Sequence, residues 1–175
     1  MQNPVRLKPN TGITPNQMIK YLPALTSVVL EEIPGKVTLA VSISNCKGNC
    51  PGCHTPELRQ DIGDELTREV LERLIKDNFG INCVLFLGEG RDDSGILDLA
   101  KYIKGFNLQV ALYSGMKEVD EQFYSVFDYV KVGPYIEKLG PLNKPTTNQK
   151  LYQVIHRDGK NERIDVTYLF HKHTF

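Results

Sequence analysis

The chain has 175 residues, of which 41% are hydrophobic and 24% charged, and its 21 basic side chains balance its 21 acidic ones. This length predicts a single domain, 1–175, with a hydrophobic core of its own. The zero formal net charge argues against a general nucleic-acid-binding surface and against attraction to a charged membrane. No apolar run approaches the roughly 18 residues that span a bilayer.

The N-terminal part of the chain predicts a cytoplasmic protein. Residues 1–10 contain no apolar segment of the kind that a secretory signal needs. In the cytosol, the four cysteines are expected to bind metal or to be buried rather than to form disulfides. Residues 1–26 are predicted to be an extended lead-in, with a short helix near residues 16–21.

The first regular structure that the sequence predicts is a hairpin. Its two strands cover residues 27–33 and 37–43, and Pro34-Gly35 forms the turn between them. The second strand leads directly into a loop that holds three of the four cysteines.

After the cysteine loop, helical patterns alternate with short apolar runs. Apolar residues recur at helical spacing from Leu66 to Phe79 and from Ile96 to Ile103, and a third, short helix is predicted over 118–126. Asp64 or Thr67 is expected to cap the first helix, and Asp93 or Ser94 the second. The predicted strands between and after the helices cover residues 82–87, 108–112 and 128–132.

This alternation predicts an α/β protein with parallel strands and right-handed crossovers. A complete eight-fold barrel typically needs about 250 residues, so a partial, open (βα) barrel is the expected fold. The last part of the chain, 148–175, is predicted to form a C-terminal hairpin, with strands over 151–156 and 162–166, and a tail.

The cysteine loop is the strongest functional signal. Cys46, Cys50 and Cys53 are spaced C-x-x-x-C-x-x-C. A structural zinc site needs four ligands, for which His54 and Cys83 are the available completions, but His54 directly follows Cys53 and Cys83 is expected in the core. An iron–sulfur cluster held by only three thiolates leaves one iron free to bind a small molecule, and this ligand number favours a cluster over zinc.

Three further strand ends carry glycine and polar residues. They are Gly88-Glu89-Gly90, Tyr113-Ser114-Gly115 and Gly133-Pro134. In parallel βα folds, ligands bind at the carboxyl ends of the strands, although each of these segments is also compatible with an ordinary turn. Lys131 is expected to be solvated or to extend to the surface. His171 and His173 are expected to have no ligand role.

The cysteine motif, which follows the first strand of the βα series and precedes His54, resembles that of the radical S-adenosylmethionine enzymes. The resemblance implies that Cys46, Cys50 and Cys53 hold a [4Fe-4S] cluster whose open iron binds S-adenosyl-L-methionine. One-electron reduction would then release methionine and a 5′-deoxyadenosyl radical.

The resemblance also implies the residues that bind S-adenosyl-L-methionine. Leu87-Gly88-Glu89-Gly90 stands where this superfamily has Gly-Gly-Glu-Pro, which implies that Gly88 and Glu89 meet the methionine amino group. Ser114 stands near the position that meets the ribose and methionine, and His54 near the one that packs by the adenine. The first glycine and the proline of the family motif are replaced here.

The C-terminal third is similar to one subgroup, the activating enzymes of anaerobic ribonucleoside-triphosphate reductase. The similar segments are Val132-Gly133-Pro134-Tyr135-Ile136-Glu137 and Thr147-Asn148-Gln149-Lys150. This similarity implies an activase that installs a glycyl radical on a large glycyl-radical enzyme, with flavodoxin or ferredoxin as electron donor. Two alternatives stay open. One is a radical enzyme for a small molecule, such as a deazapurine synthase, and the other is a metal-binding module without catalysis.

Overall fold

The computed structural model describes residues 18–171. The lead-in before Met18 and the tail beyond His171, which includes His173, lie outside the described residues. The helix predicted near residues 16–21 is wrong where it can be compared, because Lys20 and Tyr21 form a short strand that pairs with Asp64 and Glu65.

Within the described residues, nine strands, three α-helices and three 3-10 helices follow one another. The strands are β1 (Lys20–Tyr21), β2 (Ser27–Val29), β3 (Thr38–Ser42), β4 (Asp64–Glu65), β5 (Cys83–Leu87), β6 (Gln109–Tyr113), β7 (Tyr129–Val132), β8 (Lys150–Arg157) and β9 (Lys160–Asp165). The α-helices are α1 (Arg68–Asp77), α2 (Asp93–Lys104) and α3 (Glu121–Val126), and the 3-10 helices are Pro23–Leu25, Pro56–Arg59 and Thr167–His171.

Seven of the strands form one sheet in the order β2-β3-β5-β6-β7-β8-β9. The four central strands β3, β5, β6 and β7 are parallel, whereas β2, β8 and β9 run antiparallel to their neighbours. The protein is therefore a mixed α/β protein with parallel central strands, as predicted. Both predicted hairpins are confirmed, β2–β3 near the start of the sheet and β8–β9 at its end.

The two faces of the sheet are covered differently. Side chains such as Val84 and Phe86 pack in one core cluster with residues of all three helices, and we call this the helix face. The alternate positions, among them Leu85 and Ala111, belong to a second cluster that includes no α-helical residue, and we call this the second face. The second face is covered instead by Ile33, Leu142 and Val166.

Each of the helices α1 and α2 begins at a residue whose side chain accepts a hydrogen bond from a backbone N–H group of the first turn. Thr67 caps α1, as predicted, because its side chain accepts a hydrogen bond from the Val70 N–H at 3.2 Å. The cap predicted for α2 is wrong: Asp92 accepts from the Gly95 N–H at 3.0 Å, whereas Asp93 forms an ion pair with Lys47. None of the helices in residues 18–171 has the length and apolar character to cross a membrane.

Candidate functional site

The cysteine loop follows β3 and is closed at its base by backbone hydrogen bonds. The Asn45 N–H donates to Gln60 O and the Cys46 N–H to Leu58 O, both at 2.9 Å. The Ser44 hydroxyl adds a bond to Ile62 O at 2.6 Å. These bonds fix the entry and exit of the loop at the carboxyl edge of the parallel strands, where ligands bind in βα folds.

Two of the sulfurs flank a single glycine of the loop. A β-carbon placed on Gly48 would lie 3.4 Å from Cys46 Sγ and 3.8 Å from Cys50 Sγ, and one placed on Gly115 would lie 4.0 Å from Cys50 Sγ. The Gly48 N–H donates to Cys46 Sγ at 3.2 Å. Cys46, Cys50 and Cys53 are half-buried free thiols. The loop thus leaves room beside its sulfurs that a side chain at Gly48 would fill.

Cys46 lies near an acid, Glu89, and near the other two cysteines of the loop. Burial raises the pKa of the Cys46 thiol, and Glu89, Cys50 and Cys53 raise it further against the hydrogen bond from Gly48. Within residues 18–171, no three His, Cys, Asp or Glu side chains converge to hold a single metal ion. In an iron–sulfur cluster each thiolate binds a different iron, so that the sulfurs need not converge on one point.

Cys83 is separate from these three. It is fully buried on the second face at the start of β5, and burial raises its pKa to about 12. It remains a protonated core side chain, in agreement with the expectation from the sequence.

Glu89 is a buried carboxylate at the next strand end. It is 6% exposed, and its Oε1 accepts a hydrogen bond from the Ser114 hydroxyl at 3.0 Å. Burial raises the pKa of Glu89, while Ser114 and Lys47 lower it. The carboxylate lines a cleft of about 170 Å³ together with Lys47, Asp93 and Met116. A buried acid that faces a cleft is suited to bind a cationic group.

The backbone on either side of Glu89 favours glycine and excludes proline at position 90. Gly88 and Gly90 have positive φ angles of 94° and 63°. Proline fixes φ near −65°, so it could not occupy position 90 in this loop. A β-carbon on Gly90 would lie 3.3 Å from Ser44 O, which shows how closely this loop approaches the base of the cysteine loop.

Ser114 and His54 lie in different surroundings. Ser114 is fully buried, and its hydroxyl donates to Glu89 and accepts from the Met116 N–H at 3.0 Å, so that it orients the carboxylate. His54 is exposed and packs on Tyr135, with 5.0 Å between the ring centroids.

The segment after β7 covers the cysteine loop. A β-carbon on Gly52 would lie 3.6 Å from Tyr135 Cε1 and 3.8 Å from Glu137 Oε2. Asn148 and Gln149 secure this segment, because their side-chain amides donate to Pro134 O at 2.9 Å and to Gly133 O at 3.3 Å. The two C-terminal motifs therefore act together, one covering the loop and the other holding the cover.

The prediction that Lys131 is solvated is wrong. Lys131 is 8% exposed, and its Nζ donates to Gly133 O at 3.2 Å and Ser114 O at 3.4 Å. Burial lowers its pKa to about 8 against the attraction of Cys50, Glu89 and Glu32. Strand alternation could have found this residue, because Val130 and Val132 face the helices and Lys131 must then face the equally buried second face.

Comparisons of the chain with protein-family models, with curated proteins and with solved structures found no match. A functional assignment therefore depends on the site itself, since a fold alone does not define an activity. The site consists of three half-buried thiols on one loop, the buried Glu89 near them, and Ser114, which orients that carboxylate.

Proposed function

We propose that this protein is a cytoplasmic radical S-adenosyl-L-methionine activase that installs a glycyl radical on a large partner enzyme, with anaerobic ribonucleoside-triphosphate reductase as the expected partner. The observation that carries the proposal is the position of Glu89. Its buried carboxylate follows the end of β5, and the loop that carries it adjoins the base of the cysteine loop after β3, since a β-carbon on Gly90 would lie 3.3 Å from Ser44 O. The proposed chemistry needs a residue that holds the cluster beside a residue that binds the ammonium group of S-adenosyl-L-methionine.

The cysteine loop fits a [4Fe-4S] cluster. Cys46, Cys50 and Cys53 would hold it, and glycine at positions 48 and 115 keeps side chains off the Cys46 and Cys50 sulfurs, to which a β-carbon would come within 3.4–4.0 Å. When bound and reduced by flavodoxin or ferredoxin, the cluster supplies the electron that converts S-adenosyl-L-methionine into methionine and a 5′-deoxyadenosyl radical, which takes a hydrogen atom from a glycine Cα.

The chain's own residues would bind S-adenosyl-L-methionine and orient it. Glu89 would accept hydrogen bonds from the methionine ammonium. The low exposure of Glu89 strengthens the attraction between the two charges because little water screens it. Ser114 holds the carboxylate by donating to Oε1. His54 and Tyr135 would form one wall for the adenine, since their rings already pack on each other at the loop surface.

The distribution of the helices supports a partial barrel as the finer description of the fold. Doubly wound sheets carry helices on both faces, whereas barrels carry them on the outside only. Here α1, α2 and α3 all pack on the helix face. The second face, which Ile33, Leu142 and Val166 cover, would then be the inside of an incomplete barrel.

The first test is anaerobic reconstitution with iron and sulfide, followed by S-adenosyl-L-methionine and a reductant. Cys50→Ala is expected to lose the brown absorbance and the release of deoxyadenosine, because a cluster ligand is gone. Cys83→Ala is the matched control and is expected to keep both, since Cys83 is a core thiol. A Cys50→Ala protein that retained the absorbance and the product would refute the assignment of the cluster.

The same experiment separates the two alternatives. A wild type that releases neither methionine nor deoxyadenosine would favour the metal-binding module. Release without a glycyl radical signal on co-expressed reductase would identify an enzyme for a small molecule. A change of the electron paramagnetic resonance spectrum on addition of S-adenosyl-L-methionine is the expected sign of binding at the open iron.

A further inference from the structure

A second concave surface borders the second face of the sheet. It is a groove of about 760 Å³ between the loop that joins β2 to β3 and the 3-10 helix Thr167–His171. We call it the second-face groove, and its lining residues are Leu30, Glu31, Glu32, Pro141, Leu169 and Phe170 with their neighbours. Among residues 18–171, none lines both this groove and the cleft beside Glu89.

The groove has an apolar lining that is open to solvent. Leu30 is 67% exposed, and Leu169 and Phe170 are only partly buried against the second-face cluster. Small-molecule sites commonly enclose about 70–90% of their ligand. An open groove with an exposed leucine at its rim is better suited to a polypeptide segment that continues beyond it on both sides.

The charged side chains among the described residues that line the groove are acidic. Glu31 and Glu32 are the charged residues of its lining, and neither forms an ion pair with any residue between Met18 and His171. Burial raises the pKa of Glu32, the neighbouring Glu31 raises it further, and Lys131 opposes both. A positive charge placed in the groove would relieve the repulsion between the two carboxylates.

The groove is also connected to the candidate site. The Tyr113 hydroxyl donates to the backbone carbonyl of Glu32, and Tyr113 directly precedes Ser114, which holds Glu89. The wall that carries the two acids is thus tied to the strand end of the site.

We propose that the second-face groove docks an extended segment of the partner protein in which a lysine or arginine stands beside an apolar side chain. The apolar side chain packs on Leu30 and Phe170, and the basic one lies between Glu31 and Glu32. This inference deepens the proposed function and rests on it for the role of the partner, which is to receive the radical. The charge and the shape of the groove set the chemistry of the segment.

The test uses the full chain and a displayed library of random heptapeptides. Selected peptides are expected to share a lysine or arginine next to an aliphatic or aromatic residue. Their affinity, measured by fluorescence anisotropy, is expected to fall about tenfold for the double variant Glu31→Gln/Glu32→Gln and to be unchanged for Glu162→Gln, an exposed acid of β9. The reversed variant Glu31→Lys/Glu32→Lys is expected to select acidic peptides, and circular dichroism verifies that each variant is folded.

Several outcomes would overturn the docking proposal. They are no enrichment of any sequence, enrichment of peptides without a basic residue, and equal affinity for the wild type and the glutamine variant. Selection of a sequence like the chain's own Lys172-His173-Thr174-Phe175 would instead assign the groove to its tail. Cleavage of S-adenosyl-L-methionine is measured on the same protein. Failed docking with intact cleavage rejects only the groove, and failed cleavage with intact docking rejects only the radical chemistry.

Discussion

Single residues at the site carry more buried charge than their neighbours neutralise. Glu89 is 6% exposed with a serine hydroxyl as its hydrogen-bond donor, and Lys131 is 8% exposed with two carbonyls as its acceptors. Burial shifts both pKa values toward the neutral forms. Because an uncompensated buried charge lowers stability, a buried acid such as Glu89 beside a cleft is typical of a site that binds a ligand.

Lys131→Met is expected to stabilise the cluster-free protein at pH 7 by roughly 1–3 kcal/mol. The pKa of Lys131 falls from 10.5 to about 8 on folding, so the unfolded chain binds more protons between these values. Wild-type stability from this group therefore rises with pH across that window, and the advantage of the variant shrinks toward pH 10. Urea unfolding of both proteins at pH 7 and pH 9.5 measures this difference.

Lys117→Met is the control for this experiment, because Lys117 is exposed. Its effect on the free energy of unfolding is expected to be within about 0.5 kcal/mol at both pH values. A Lys131→Met advantage that is the same at pH 7 and pH 9.5 would show that the lysine is not desolvated in solution.

Among the elements, the start of α2 has the closest connection to the site. Asp92 caps this helix two residues after Gly90, so the cap also fixes the end of the loop that carries Glu89. The cap carboxylate lies directly over the third helical residue: a β-carbon on Gly95 would be 2.5 Å from Asp92 Oδ2 and 3.2 Å from Ile19 Cγ1. Gly95 is not among the residues with a positive φ angle, so backbone conformation does not call for glycine here. The close approach of Asp92 is what favours glycine at position 95.

Gly95→Ala is therefore expected to destabilise the protein, although alanine ordinarily stabilises a helix by about 1 kcal/mol over glycine. The new methyl group displaces the cap carboxylate, and this loss of about 1 kcal/mol offsets the helix gain. The methyl group also crowds Ile19 Cγ1, 3.2 Å away, which makes the net effect destabilising. In the Asp92→Ala background the carboxylate is absent, and Gly95→Ala is expected to become less harmful or favourable. Thermal unfolding of the four proteins of this double-mutant cycle measures the coupling, and additive effects would show that the two side chains do not interact.

At the scale of the whole molecule, the two faces of the one sheet differ in what covers them. The helix face holds the larger core cluster and all three helices, while the second face is covered by loops and the C-terminal segment. The carboxyl edge between the faces holds the cysteine loop and Glu89, and the second-face groove lies on the side that carries no α-helix within residues 18–171. A covering of loops is more easily displaced by a partner than a packed helix layer, which fits an enzyme that acts on another protein.

Ligand binding should be visible in the stability of the whole protein. At a concentration one hundred times its dissociation constant, a ligand stabilises the native state by about 2.7 kcal/mol. For a chain of this size we expect S-adenosyl-L-methionine to raise the Tm of the cluster-loaded protein by roughly 5–10 °C. Cluster-free protein is expected to show no rise in Tm at the same concentration. Cluster-loaded Glu89→Gln protein is expected to lose most of the rise that the loaded wild type shows. An equal rise in loaded wild type and loaded Glu89→Gln would remove Glu89 from the binding site.

Much of the fold and the centre of the site could be predicted from the sequence because their signals are local. Helical spacing located α1 and α2, short apolar runs located the parallel strands, and the two strand patterns over 151–156 and 162–166 located the β8–β9 hairpin. The three cysteines were found in the same way, since their spacing within one loop is a property of the chain.

The tertiary structure decided the features that depend on which segments become neighbours. Asp92 rather than Asp93 caps α2 because Lys47, from a distant loop, pairs with Asp93. Ser114 orients Glu89 because β5 and β6 are adjacent in the sheet, and Lys131 is buried because the second face is covered by Ile33 and Leu142. Long-range pairing is set by packing between strands far apart in sequence, so the local pattern of residues does not specify which side chains become partners.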